Sequence, residues 1–155
     1  AGLEAGILSA VQQVNHLQKR WAFDLLTVRF GRSLRGRRIA VWGLAFKPET
    51  DDLREAPAQV LIGDILEAGG EVLAHDPVAM PRARREWPEA WFTPGRLQLV
   101  ADPYAAAEGA DALVLVTEWK PYRSPDLAQL KARLRSPLII DGRNQYDPQQ
   151  LQDFG

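Results

Sequence analysis

Apolar residues in the first thirty positions recur at Ile7, Val11, Val14, Trp21, Leu25 and Val28, three or four apart with a gap at Gln18. This is the period of one helical face. Leu8, Ala10, Leu17 and Phe23 widen the stripe, no proline interrupts it, and Gly31 supplies a left-handed stop. The spacing predicts a helix over residues 4–30, a rod of about 39 Å at 1.5 Å per residue. Two readings stand. The helix packs on its own domain, or it is a connector or dimerisation helix whose apolar face needs a partner elsewhere.

From residue 38 the pattern changes to short apolar runs alternating with helical stretches. Residues 39–44, 71–74, 97–100, 112–117 and 138–140 read as strands, the fourth apolar throughout, as a strand buried on both faces should be. Residues 57–68 read as a helix with Pro57 in its first turn and Gly69 past its end. Residues 103–108, 125–134 and 148–154 read as further helices, and 78–96 as a loop of poor periodicity. Five strands alternating with helices predict an α/β fold: a doubly wound, Rossmann-like parallel sheet with right-handed crossovers, preceded by the long helix. The expected division is a helix over 1–31 and a domain over 37–155, truncated before a sixth strand. The expected strand order is 3-2-1-4-5, with ligands beyond the carboxyl ends of the strands.

Composition narrows the chemistry. Of 155 residues 46% are hydrophobic and 25% charged, and the net charge is −1, which gives no global field for nucleic acid or an anionic membrane. The basic turn 31–38 lacks interleaved aromatics and reads as a solvated linker rather than a nucleic-acid patch. No apolar run reaches membrane-spanning length, and nothing points away from a cytoplasmic location. Without cysteine the chain itself offers no disulfide, thiolate metal site or thiol nucleophile. His16 and His75 lie far apart in sequence and make no metal site or triad.

The candidate chemistry lies after strands one, four and five. No Gly-x-Gly occurs anywhere, so the pyrophosphate-cradling turn of dinucleotide-binding sheets is missing. Asp76 sits where a ribose-binding acid would, but before Pro77 it reads better as a turn or capping residue. Strand one leads instead into the polar loop 46–57. There Lys47 is placed to meet a phosphate, and Asp51 and Asp52 to order the loop by pairing with Arg54 or capping backbone N–H groups. After strand five comes Asp141-Gly142-Arg143-Asn144. Two positions apart at about 4.8 Å each, the ends of strands one and five lie roughly 10 Å from one another. Long side chains from both could therefore converge on one nucleotide diphosphate, although Lys47 as a solvated loop residue and Arg143 as a surface residue remain open. Thr117-Glu118-Trp119 is a weaker candidate cleft wall, with Trp119 more often a packing residue. Arg82, Arg84 and Arg85 read as a solvated face.

Several motifs occur in order: Val14-Asn15 with Gln18-Lys19, Gly43-Leu44-Ala45-Phe46-Lys47-Pro48-x-Thr50-Asp51-Asp52-x-Arg54-Glu55-Ala56-Pro57, His75-Asp76-Pro77, Thr117-Glu118-Trp119, and Asp141-Gly142-Arg143-Asn144-x-Tyr146-Asp147-Pro148. Together they resemble the C-terminal, UDP-binding domain of the UDP-glucose/GDP-mannose dehydrogenase family, over nearly the whole chain. The resemblance implies that Phe46, Lys47 and Arg143 contact a UDP-sugar and that Arg54 lies near NAD across an interdomain cleft. NAD would be bound mainly by an N-terminal domain, and the long helix would form much of a homodimer interface. The implied reaction is oxidation of the sugar C6 alcohol to a carboxylate with two NAD, through a thiohemiacetal on a cysteine this chain lacks. The chain alone is then expected to be inactive. UDP-glucose is the expected substrate. UDP-N-acetylmannosamine or GDP-mannose oxidation, and a stand-alone nucleotide-binding regulatory domain, are the alternatives. His75 replaces a usual Tyr, so that position is not expected to be catalytic.

Overall fold

The computed structural model describes residues 2–155. Of the predicted apolar stripe, the side chains of Ile7, Leu8 and Ala10 lie outside the described residues, as does that of His16. The chain opens with helix α1 (Gly2–Phe30), 29 residues and about 44 Å long. It packs on α2 (Pro57–Glu67) through buried Leu26 and half-buried Ala22, Phe23 and Phe30, aided by an Arg20–Asp64 ion pair at 3.3 Å. Apart from Phe23, the described part of the predicted stripe lies elsewhere. Val14 is 56% and Val28 84% exposed, and Val11, Leu17, Trp21 and Leu25 are exposed too. The helix therefore uses one face on its own domain and leaves the broader apolar face uncovered.

The sheet comprises β1 (Arg38–Trp42), β2 (Glu71–His75), β3 (Leu97–Leu99), β4 (Ala112–Leu115) and β5 (Ile139–Asp141). All pairings are parallel and the order is β3-β2-β1-β4-β5, as predicted. Two of the three interior strands, β1 and β4, are the most apolar. Ile39–Trp42 and all of β4 are buried, because helices on both faces leave no side of a central strand to water.

One expectation is corrected. Residues 78–96 are not simply a loop but carry α3 (Met80–Glu86) and α4 (Glu89–Phe92). Each is too short for a 3.6-residue period to show in sequence. They are anchored by buried Ala83 and Trp87, by an edge-on Trp87–Trp91 contact at 5.7 Å, and by an Arg82–Glu86 ion pair at 2.8 Å. The arginines read as a solvated face are thus partly committed to holding α3 and α4, Arg84 pairing with Glu89 at 3.1 Å.

The later helices α5 (Pro103–Ala106), α6 (Leu127–Arg133) and α7 (Pro148–Phe154) share one device at their starts. Asp102, Asp126 and Asp147 accept N–H bonds from Tyr104, Gln129 and Gln149. A short 3₁₀ turn, Lys120–Tyr122, buries Tyr122 between β4 and α6 in the chain. Its ring stacks on Trp42 at 4.9 Å, and Trp42 in turn donates to the Pro103 carbonyl at 2.8 Å.

Candidate functional site

Strand β1 delivers the chain to the carboxyl edge of the sheet, where four residues are pinned in succession. The Gly43 N–H donates to the His75 carbonyl at 2.9 Å. Leu44 and Ala45 N–H groups donate to Asp76 Oδ2 at 2.7 and 3.1 Å, and the Ala45 carbonyl accepts from the Thr117 hydroxyl at 2.6 Å. The Phe46 N–H donates to the Asp52 carbonyl at 2.8 Å. Only glycine serves at position 43. Its φ is +92°, and a Cβ there would lie 2.4 Å from that of Thr117. Phe46, 48% exposed, emerges from this locked segment with its backbone fixed.

Asp76 is the organiser. It is fully buried, and its carboxylate accepts five N–H bonds: Leu44, Ala45 and Trp119 Nε1 on Oδ2, and Val78 and Ala79 on Oδ1. No acceptor capacity is left for a ribose, so the turn-capping reading holds. Trp119, 3% exposed, is a packing residue that serves this hub. His75 is buried as well. The Tyr122 hydroxyl donates to the His75 carbonyl at 3.0 Å, which leaves its oxygen to accept from Nδ1–H at 2.7 Å. Desolvation pushes the His75 pKa down, partly offset by Asp76 and Asp102. This is a structural histidine.

The loop after β1 is ordered by Asp52, as the sequence suggests, whereas Asp51 does not pair with Arg54 but meets Arg82 of α3 at 3.4 Å. Asp52 takes the Arg54 guanidinium with both oxygens, at 3.0 and 2.8 Å, and also accepts the Arg54 N–H. That pairing holds the Asp52 carboxyl well below the usual carboxylate range. Arg54 is exposed and turned onto this loop. Glu55 adopts φ +58°, a left-handed conformation uncommon for a non-glycine, and its carboxylate is tied to Lys19 of α1. Lys47 is exposed and has no hydrogen bond or ion pair among the described residues.

The loop after β5 is ordered by Asp141. Its Oδ1 accepts the Arg143 N–H at 2.9 Å, and its Oδ2 accepts those of Gln145 and Tyr146 at 2.6 and 2.8 Å. Gly142 lets the turn pass close to β4, since a Cβ there would sit 2.8 Å from the Leu115 carbonyl oxygen. Tyr146 braces the far end by donating to the Tyr122 carbonyl at 2.7 Å, and burial pushes its phenol pKa up. The Arg143 side chain then reaches back across the sheet edge. Its Nη2 lies 3.5 Å from the Phe46 carbonyl oxygen, and its Nε is 2.5 Å from Glu118 Oε2.

These elements enclose a cleft of about 1090 Å³. Phe46, Glu55 and Pro57 form one wall, the ends of β4 and β5 with Gly142, Arg143 and Asn144 the floor, and Asn15, Gln18, Lys19 and Trp21 of α1 the other wall. Of the four residues singled out in the sequence, Phe46 and Arg143 line the cleft and approach each other. Lys47 and Arg54 do not line it and stand on the loop at its rim. The contribution of Trp21 and Glu55 was not foreseen, and neither was the burial of the Arg143 Nε atom against Glu118, whereas Asn144 belongs to the Asp-Gly-Arg-Asn stretch singled out after strand five. The structure places Asn144 at a φ of +54°, a left-handed conformation that asparagine tolerates.

The arrangement suits an extended anionic ligand. It offers a guanidinium, amide side chains, two aromatic faces and a free lysine at the rim, and its acids are spent on Lys19 and on backbone N–H groups. It does not suit the pyrophosphate of a dinucleotide in the usual place after β1, because the Leu44 and Ala45 N–H groups already serve Asp76. Among the described residues no group of three or more His, Cys, Asp or Glu could hold a metal, and no helix is long and apolar enough to cross a membrane.

Known proteins share this sequence and fold. A UDP-glucose 6-dehydrogenase of Pseudomonas aeruginosa is 49% identical over 154 residues, 99% of this chain and 34% of the relative. The UDP-glucose 6-dehydrogenase TuaD of Bacillus subtilis is 37% identical over 155 residues, 100% of this chain and 32% of the relative. The chain thus spans about a third of the length of these relatives. Among solved structures, a UDP-glucose dehydrogenase from the archaeon Pyrobaculum islandicum superposes with a TM-score of 0.78 at 36% identity, covering 96% of this chain and 31% of that one. Residues 40–148 match the model of the UDP-glucose/GDP-mannose dehydrogenase family, UDP binding domain. That span holds the Phe46 loop, the Asp76 hub and the Arg143 loop together, and the chain belongs to this family.

Proposed function

We propose that this chain grips the nucleotide diphosphate of UDP-glucose as part of a longer NAD-dependent UDP-glucose 6-dehydrogenase. The observation that carries the reading is the meeting of Arg143 from β5 with the Phe46 backbone from β1, at 3.5 Å, over a cleft at the carboxyl edge of the sheet. Phe46 offers a flat apolar face, Arg143 a fork matched to phosphate oxygens, and Lys47 a free charge at the rim. The residues in this chain bind and orient. None supplies a nucleophile, and NAD, which accepts hydride in the oxidation, has no cradle after β1. Arg54, exposed on the loop, is the residue proposed to meet NAD from this side. Binding the diphosphate far from the reacting carbon gives energy that positions the sugar C6 alcohol, which is how remote contacts raise reaction rates.

The same reading assigns the uncovered face of α1 to a second copy of the chain, making a homodimer. It gives residues 1–31 the connector role and 37–155 the binding role, with a sixth strand pairing to the free edge of β5 in the longer enzyme. A cytoplasmic location follows from the nucleotide-sugar and NAD supply such a reaction needs.

The test is titration of the ¹⁵N-labelled chain with UDP, UDP-glucuronate and GDP. The expected result is shifts at Phe46, Lys47 and Arg143, with UDP compounds binding more tightly than GDP. Shifts confined to the Asp76 turn, or tighter binding of GDP, would overturn the assignment. Lys47→Ala and Arg143→Ala should each weaken UDP about tenfold, in keeping with loss of a charge-assisted hydrogen bond.

A further inference from the structure

Glu118 follows β4, and the Arg143 it meets follows β5. The carboxylate and guanidinium are 2.5 Å apart, with both side chains about two-thirds buried. Glu118 Oε2 and Arg143 Nε are shielded from water, and the contact is made at Nε, the inner nitrogen of the guanidinium. The two groups attract as opposite charges. The attraction acts where solvent screening is weak, which makes it stronger than at an open surface. It also leaves the outer donors of the guanidinium unused. Nη1 has no partner among the described residues, and Nη2 has only the long contact to the Phe46 carbonyl.

We propose that Glu118 is a positioning residue for anion recognition: it fixes the Arg143 guanidinium at the cleft floor by charge while leaving the Nη donors free for a diphosphate. This rests on the reading of Arg143 as a ligand residue. A carboxylate that hydrogen-bonded the fork side-on would hold Arg143 equally well but would compete with the phosphate for the same N–H groups. An Arg143 with no carboxylate beside it would have its donors free but would spread over many rotamers, and ordering it would cost affinity. The observed contact avoids both. The backbone reinforces it from the other end, since Asp141 fixes the Arg143 N–H. Glu118 and Arg143 are 25 positions apart, and only the adjacency of β4 and β5 brings them together.

The experiment is a double-mutant cycle on the 155-residue chain, read as UDP affinity by calorimetry, with Glu118→Gln, Arg143→Ala and the pair combined. Glu118→Gln should weaken UDP about tenfold in the parent chain and leave it unchanged, or slightly tighter, in the Arg143→Ala background. Glu118→Asp, which keeps the charge, should stay within about threefold of the parent. The Arg143 Nε–H resonance, read without ligand, should be sharp in the parent and broadened in Glu118→Gln, which a role in general stability would not produce while the thermal midpoint is unchanged. Equal weakening in both backgrounds, tighter binding by Glu118→Gln in the parent, or an unchanged Nε–H resonance would overturn the proposal. If Arg143→Ala itself leaves UDP affinity unchanged, the reading of Arg143 as a ligand residue fails, and this proposal falls with it. If Arg143→Ala weakens binding while Glu118→Gln does not, only the positioning role fails.

Discussion

Asp76→Asn is the substitution that best separates scaffold from ligand contact at this sheet edge. The asparagine amide has the size of the carboxylate but one oxygen instead of two. Its nitrogen will turn to the less crowded side, facing the Val78 and Ala79 N–H groups, and the oxygen will keep Leu44, Ala45 and Trp119. Two buried N–H donors then meet another donor, at about 1–3 kcal/mol each, and the remaining three bonds lose their ionic acceptor. The expected cost is about 3–6 kcal/mol. That is a large part of the roughly 5–15 kcal/mol that holds a domain of this size together. Urea unfolding followed by tryptophan fluorescence is the assay, since Trp119 reports on the hub directly. At a slope near 2 kcal/mol per molar, a 4 kcal/mol loss moves the midpoint down by about 2 M. A loss under about 1 kcal/mol, with UDP affinity reduced instead, would refute the reasoning and show Asp76 to be a ligand residue held by little else.

Three further outcomes are expected. Gly43→Ala should cost about 3 kcal/mol or more, through the clash with Thr117 and the left-handed backbone, whereas Gly36→Ala, also at positive φ but in open space, should cost only about 1–2 kcal/mol. Equal losses in denaturant titrations would deny the close approach. The His75 imidazole has its pKa lowered by burial, so the unfolded chain binds more protons than the folded one in this range. Stability is full above the ordinary value of 6.5 and is lost as pH falls toward and through the depressed folded value. Thermal midpoints of His75→Gln against pH should lack that decline, and a parallel decline in both proteins would count against it. Val14→Asp with Val28→Asp, on the uncovered face of α1, should leave the unfolding midpoint of the monomer unchanged and abolish dimers in light scattering. A dimer that persists would place the interface elsewhere.

Periodicity and punctuation were enough to predict the five strands and the main helices, because a parallel sheet covered by helices forces its centre to be apolar and its connections to alternate, and the strand order followed from the usual order of doubly wound sheets. The Asp-Gly-Arg-Asn and Phe-Lys-Pro stretches stood out for the same reason: polar, glycine-bearing segments that follow buried strands have to lie at the ligand edge. The two short helices within 78–96 were hidden, since seven and four residues complete too few turns to show a period. Sequence also marked α1 as amphipathic without telling which apolar residues would meet its own domain. Burial of Leu26 and exposure of Val28 depend on where α2 lies, and no local pattern encodes that. Tertiary structure alone decided how the site works. It spent Asp76 on five backbone and indole donors, turned Arg54 onto Asp52, left Lys47 without a partner among the described residues, and brought Glu118 to Arg143. Local sequence fixes conformation over a few residues, whereas the partner of a charge is set by which strands lie side by side, and that is settled only when the whole core closes.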